Sequence, residues 1–461
     1  MMNEFKHFLP TISGLQYVYE QMPICSSIGK TCLLEHPWLG DSTSLIAAFN
    51  QLEQHIQFVK HQDAAEILLV QYLHELVDIR HTLQHLQQLQ VLDDVELFEI
   101  KKMALLSQKV AKLLQDFGYK GVVLNDLSKV VHHLDPDGSR VAYFYIYSSY
   151  DEQLASLRTQ INMCEDVAKK EQLQWEAARI EDSIRQRLTE MLQPYAEALL
   201  ANLQALAELD VWNAKAQLAI SWNACKPSVA DQVTVYQQLV HPQVRDLLVQ
   251  EGRTFQPIDI QLSQGPCLIT GANMAGKTLV LKSLALSQVL FQFGFFLPAQ
   301  CADVVPVESI SYVIDDQQSE KKGLSSFAVE IININEIITQ VKQGHRLLVL
   351  VDELARTTNP EEGKQIVQGF LEMMKRYQVR AVVTTHYSGI DVECQRLRVN
   401  GLKINEINSS ITPKNLYKYM DYSLTATDID DVPAEALKIA EIFCADAEFL
   451  QCTRNRNIHL K

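Results

Sequence analysis

Eight residues, GANMAGKT at 271–278, constrain this chain more than any other stretch, because few folds can present them. They fit G-x-x-x-x-G-K-[ST]. The apolar run PCLIT before them reads as a buried strand, and LVLKSLALSQVLFQF beginning at Thr278's neighbour Leu279 has helical apolar spacing. Strand, glycine loop and helix in that order make a phosphate cradle. Gly271 and Gly276 allow backbone angles that other residues resist, so successive N–H groups turn inward, and the helix starting near Lys277 adds the positive end of its dipole. Lys277 is expected to reach the β- and γ-phosphates of ATP, Thr278 to hold Mg²⁺ through its hydroxyl, and Asn273 to line the loop around the nucleotide.

The 461 residues suffice for two or three domains with cores of their own. Residues 1 to about 225 carry amphipathic runs such as LIAAFNQLEQHIQFV and VELFEIKKMALLSQKVAKLLQDF, which predict an all-α body. LDPDGSR at 134–140 marks a turn, and FYIYSSYDEQLASLRTQI leads from it into a helix. Leu154, Leu157, Ile161 and Cys164 recur at spacings of three and four, and after the polar stretch AKKEQLQWEAA the stripe resumes at Ile180, Ile184, Leu188 and Met191. That pattern fits two long helices forming an antiparallel lever, and it also fits one continuous surface helix. Pro194 interrupts the stripe before an Ala- and Leu-rich helix returns.

Near Lys226–Pro227 the texture changes. Short β-like runs (CLIT, LLVLV, AVVTT) now alternate with helices, as in a mostly parallel sheet covered on both faces. The expected organisation is a helical core and lever over 1–225, an α/β P-loop nucleotide-binding domain over 226–425 and a helical tail over 426–461. A formal net charge of −15 disfavours a protein whose main task is gripping a duplex, although a local basic patch could hide in that average. The nine cysteines show no C-x-x-C pairing or metal spacing, and no leader-like N-terminus or run of about eighteen apolar residues is present; the expected location is the cytoplasm.

Further motifs refine the second half. LLVLVDE at 347–353 sets two carboxylates at the end of a buried strand: Asp352 is expected to hold Mg²⁺ and Glu353 to accept a proton from the attacking water. A strand ending in Asp-Glu is common, but about seventy residues after a phosphate loop it reads as a Walker B motif. In AVVTTHY, His386 stands at another strand end, suited to sensing the γ-phosphate, although a lone histidine there is more often structural. GLSSFAVE at 323–330 offers Ser325 and Ser326 at a helix start, which reads as an N-cap or, in a dimeric ATPase, as a signature reaching the partner subunit's γ-phosphate.

Together GANMAGKT, GLSSFAVEI, LVDELARTTNPEEG and TTHY, in this order and spacing, resemble the ATPase domain of the MutS family of DNA mismatch-repair ATPases. The resemblance implies an ABC-type site shared across a homodimer, with Ser325 acting on the partner's nucleotide, and an aromatic residue stacked on adenine, matched here by Phe255 in TFQPIDIQL. SSIGKTCLLEHPWLGDSTSLIAAFNQLE is similar to the opening of the family's core domain, and YAEALLANLQALAELDVWNAKAQLA to its descending lever. The chain departs from the family at Ala272 and Ala275, where Pro and Gly are usual, and at ARTTNP, which replaces Gly-Arg-Gly-Thr-Ser-Thr. No Phe-x-Glu wedge is found in the sequence, and the chain is expected to be a short form without the mismatch-reading, clamp and nuclease-like C-terminal modules.

Two readings follow. LDPDG with FYIYSSY, and VPAEALKIAE, resemble the short MutS-like proteins that accompany adenosylcobalamin-dependent lysine and ornithine aminomutases. That likeness implies a lever acting on a protein partner, a cobalamin-dependent aminomutase or the second subunit of its reactivating factor. The alternative is a DNA-binding MutS-family ATPase of mismatch repair or recombination.

Overall fold

The computed structural model describes residues 4–313 and 326–427 apart from 142, 273–274, 357, 404–410 and 412–414, together with Ile439, Ile442, Phe443, Asp446 and Glu448. Ser325, Asn273 and most of the 426–461 tail therefore lie outside the described residues.

The N-terminal part is built from helices whose starts are written in the sequence. Asp41 accepts from the Ser44 N–H to begin Ser42–His61, and Leu45, Phe49, Leu52 and Ile56 fall on its buried face. Asp93 and Glu96 form a capping box at the start of Asp94–Asp116. Glu152–Met163 and Val167–Leu192 pack against each other as a hairpin whose turn is only Cys164–Asp166, so the chain makes two helices rather than one. The turn comes earlier than the sequence suggests: AKKEQLQWEAA lies inside the second helix, started by the Asp166 side chain, which accepts from the N–H groups of Ala168 and Lys169. That stretch is made of strong helix formers and is polar because it is exposed, not because it is a loop. A 3-10 turn at Gln193–Tyr195 then feeds the longest helix, Ala196–Trp222, buried along its length and ended by Asn223 at φ +51°.

Among the described residues the second part contains two sheets, and their strands in chain order are β1 (Ser228–Val229), β2 (Thr234–Leu239), β3 (Ile258–Leu262), β4 (Pro266–Thr270), β5 (Cys301–Val304), β6 (Ser309–Val313), β7 (Leu347–Val351), β8 (Arg380–Thr384), β9 (Gln395–Leu402) and β10 (Met420–Ala426). One sheet has the order β10-β9-β4-β8-β7-β6, parallel except for the β9–β10 pair. Its strands β4 and β7 are buried at every residue, as strands covered on both faces must be. A smaller sheet, β1-β5-β2-β3, had not been expected from the sequence. Its β3 alternates buried and exposed residues, the pattern of a strand with one face in the core.

A single apolar core joins the halves. Phe5, Phe8 and Phe49 pack with Phe291, Phe293 and Phe295, and Val211, Ala214 and Leu218 of the longest helix belong to the same cluster as Ile269 and Val399 of the larger sheet. Phe293 makes edge contacts with Phe5 (5.0 Å), Trp38 (5.6 Å) and Phe8 (5.7 Å). Among the described residues no helix is long and apolar enough to cross a membrane.

Candidate nucleotide site

The helix Lys277–Gln292 begins where β4 ends, and the residues between them turn on two glycines. Gly276 has φ +93°, and a Cβ there would meet the Tyr422 ring at 3.2 Å; at Gly271, with φ +150°, it would meet Val399 Cβ at 3.2 Å. Any side chain would thus strain the loop and push it off the strands behind it.

Strand register decides what stands over the loop. β8 lies between β4 and β7, pairing Ile269 with Thr384 on one side and Val383 with Val351 on the other. Asp352, the residue after β7, is therefore level with Thr384 and reaches across β8 to the loop helix. Thr278 Oγ1 donates to Asp352 Oδ2 at 2.6 Å, and Thr384 Oγ1 donates to Asp352 Oδ1 at 2.5 Å. Thr384 Oγ1 also accepts from the Glu353 N–H at 2.9 Å. One buried hydroxyl thus fixes both acidic residues.

Lys277 Nζ donates to the carbonyls of Gly271 (2.8 Å) and Ala272 (3.3 Å), and lies 3.5 Å from Glu353 Oε1. Burial pushes its pKa down, against the opposing pull of Glu353 and Asp352. Glu353 Oε2 lies 3.6 Å from Arg356 Nη1. Its backbone sits at φ +47°, and Ala355 two residues on sits at φ +63°, a region costly for any residue with a Cβ. Ala355 stands where the resembling motif has glycine. Its N–H donates to Glu330 Oε1 and its carbonyl accepts from the Tyr387 hydroxyl, both at 2.7 Å, so a helix and the β8 loop hold this turn in place.

His386 follows β8 by two residues and is partly buried, and its Nδ1 is buried without a hydrogen bond. Burial first, then the cations Lys277 and Arg356, lower its pKa in spite of Glu353, so the imidazole beside the site is neutral at pH 7. Phe255 is half-buried in the segment before β3. Its neighbours anchor that segment: Arg253 stacks 4.2 Å over the Tyr417 ring, and Gln256 donates to Asp421 and accepts from the Tyr422 N–H. The helix Ser326–Lys342 begins where the GLSS motif ends, with Ser325 just outside the described residues.

Lys277, Thr278, Asp352 and Glu353 thus meet within hydrogen-bonding or ion-pair reach at the positive end of one helix. Oxygen donors at Thr278 and Asp352 suit a hard divalent cation, and Lys277 with the loop suits a polyphosphate. Residues 267–445 match the family model described as MutS domain V.

Residues 267–445 thus carry a domain of the MutS family.

Relatives it resembles carry the name Endonuclease MutS2: 36% identity over 211 residues with that of Geobacillus sp. (45% of this chain, 26% of the relative), 34% over 223 residues in Latilactobacillus sakei (48% and 28%), and 34% over 209 residues in Aquifex aeolicus (45% and 26%). The match to these MutS relatives spans about a quarter of their length.

Two contributors escaped the sequence reading. Thr384 was visible as a hydroxyl ending an apolar strand, but its partners come from a strand order that the chain does not spell out. Tyr422, packed on Gly276, lies far along the sequence and carried no signal. The far end of the loop helix is tied to the helical body: Lys215 Nζ donates to the Phe293 carbonyl at 2.6 Å, and the Leu39 N–H donates to the Gln292 carbonyl at 3.0 Å.

Proposed function

We propose that this protein is an ATP-hydrolysing MutS-family switch that couples nucleotide turnover to movement of its helical body on DNA. The observation carrying the ATPase part is the meeting of Lys277, Thr278, Asp352 and Glu353 through Thr384 at the start of one helix. Lys277 and the loop N–H groups bind the phosphates, exchanging the weak Glu353 contact for shorter charge-assisted bonds. Thr278 and Asp352 hold Mg²⁺, whose charge, when bound, offsets that of the phosphates. Glu353 takes the proton of the attacking water, and neutral His386 can donate or accept a hydrogen bond near the γ-phosphate. Phe255 stacks on adenine, and Asn273 lines the loop. Ser325 completes the site of a second copy in a homodimer of ABC-type ATPase domains, formed by residues 226–425 behind a 1–225 core and lever.

The link from Gln292 and Phe293 to Leu39 and Lys215 gives the loop helix a direct grip on that lever. DNA is favoured as the macromolecule by the endonuclease name of the relatives; because the match covers about a quarter of them, strand cleavage is not carried over. A cobalamin-dependent aminomutase as partner has no support among the relatives named above. Fluorescence anisotropy with duplex and single-stranded DNA at low salt, with and without Mg-ATP, tests the reading alongside the ATPase rate. Nucleotide-dependent binding supports it. Intact ATPase activity with no binding to either DNA at about 50 mM salt would redirect the switch to a protein partner.

A further inference from the structure

In the helical body, two imidazoles stand one turn apart on the helix Arg80–Gln87. The rings of His81 and His85 have centroids 4.2 Å apart with planes crossing at 71°. His85 Nδ1 is 2.6 Å from Glu96 Oε1, in the first turn of Asp94–Asp116. One ligand atom from each of the three side chains lies within 4.8 Å of the others.

Two of the three groups are pre-positioned. Glu96 cannot swing freely, because its Oε2 accepts from the Asp93 N–H at 3.0 Å while its own N–H donates to Asp93 Oδ1 at 2.8 Å. The face that His85 presents is set by Leu83 and Leu86, both buried, and by Thr82, whose hydroxyl donates to Glu99 Oε2 at 2.5 Å and ties the same two helices together. His81 is exposed, and its ligand atom lies within 4.8 Å of those of the other two.

We propose that His81, His85 and Glu96 form a binding site for a divalent transition-metal ion of the zinc class, which clamps the helix Arg80–Gln87 to the start of Asp94–Asp116. Two neutral imidazoles and one carboxylate are a donor set such ions accept, and histidines four apart on a helix chelate from one face. Ligand atoms about 2.1 Å from a tetrahedral ion are about 3.4 Å from one another. The His85–Glu96 pair therefore opens slightly, the ion taking the place of the proton between them, while His81 closes in. The fourth position faces solvent and takes water. Mg²⁺, which prefers oxygen ligands, is not the expected occupant.

The test uses the full chain, nucleotide-free and stripped with chelator, titrated with Co²⁺ and then displaced with Zn²⁺. The expected result is one Co²⁺ per chain with visible d–d bands and no thiolate-to-cobalt charge transfer. His81→Ala, which alters an exposed residue, should weaken binding by about 10-fold or more with an unchanged metal-free melting midpoint. Zn²⁺ should raise the midpoint of the wild type and not that of His81→Ala. Identical Co²⁺ affinity in both proteins, a thiolate spectrum, or no binding below millimolar metal would each overturn the assignment.

Discussion

Among the described residues three lysines, Lys101, Lys215 and Lys277, are almost wholly withdrawn from water, and for Lys101 and Lys277 the surroundings of the charge tell their roles apart. In the helical body Lys101 Nζ donates to Asp135 Oδ1 (3.0 Å), the Tyr143 carbonyl (3.0 Å) and the Tyr147 hydroxyl (2.8 Å), using all three ammonium protons. Burial alone would raise the Asp135 carboxyl, but bonds from the Arg140 N–H, Lys101 and Ser139 outweigh it and hold it below the usual range. In the nucleotide site Lys277 rests on two carbonyls, and its carboxylate stands off at 3.5 Å. The first cation is neutralised where it lies. The second is held by dipoles, loses proton affinity to burial, and gains most from an added anion. The close, fully bonded carboxylate of Lys101 fits a structural cation, and the distant one of Lys277 fits the phosphate-binding role proposed for it.

The largest separation between the two regions should come from Glu353→Gln, which keeps the loop and removes the base. ATP hydrolysis in single-turnover assays should fall by about 10²–10⁴-fold with nucleotide affinity retained; a wild-type rate would remove Glu353 from the chemistry. Next in size, Lys101→Met leaves Asp135 buried without its cation and should cost about 3–5 kcal/mol in denaturant unfolding, with ATP affinity of the folded protein unchanged. Adding Asp135→Leu should recover most of that loss. If the single variant is as stable as wild type, the knot is not structural.

Acid should weaken both regions. His55, between Tyr119 and Asn213 in the helical body, and His241, whose Nδ1 accepts from the Val244 N–H beside the smaller sheet, are buried and held neutral with pKa values pushed down to about 4. The folded state thus binds fewer protons than the unfolded one, so the stability these groups contribute is full above pH 6.5 and is lost as pH falls through about 4. The limit is about 3 kcal/mol each. A flat unfolding free energy over that window would contradict their neutral burial. The smallest expected change is Thr384→Val, which frees the Asp352 carboxylate and the Glu353 N–H; it should slow turnover by about 10- to 100-fold, in line with the loss of one or two bonds to a charged group. No change would mean that Asp352 and Glu353 are placed without it.

The phosphate loop and the Asp352–Glu353 strand end were legible because each is a contiguous word in the sequence whose chemistry depends on its immediate neighbours. The interleaving of β8 was not, since strand order is set by pairings far apart in the chain, and Thr384 acquires its role only from that order. The hairpin turn at Cys164–Asp166 is not marked by polarity, because the polar stretch of Ala, Lys, Glu and Gln that follows it makes an exposed helix. The Lys101–Asp135 knot left no trace in periodicity: a buried lysine on a helix looks like any surface lysine until its partners fold over it.

Calorimetric titration of Mg-ATP into the wild type and Lys277→Ala, each paired with an unfolding curve, tests the central claim most directly. The account predicts one nucleotide per wild-type chain, an affinity loss of about 100-fold or more in the variant, and unfolding free energies within about 1 kcal/mol of each other because the missing cation was poorly neutralised. Equal nucleotide affinity, or a variant that binds normally once folded but unfolds several kcal/mol sooner, would show that Lys277 belongs with Lys101 as a structural cation and that the phosphates bind elsewhere.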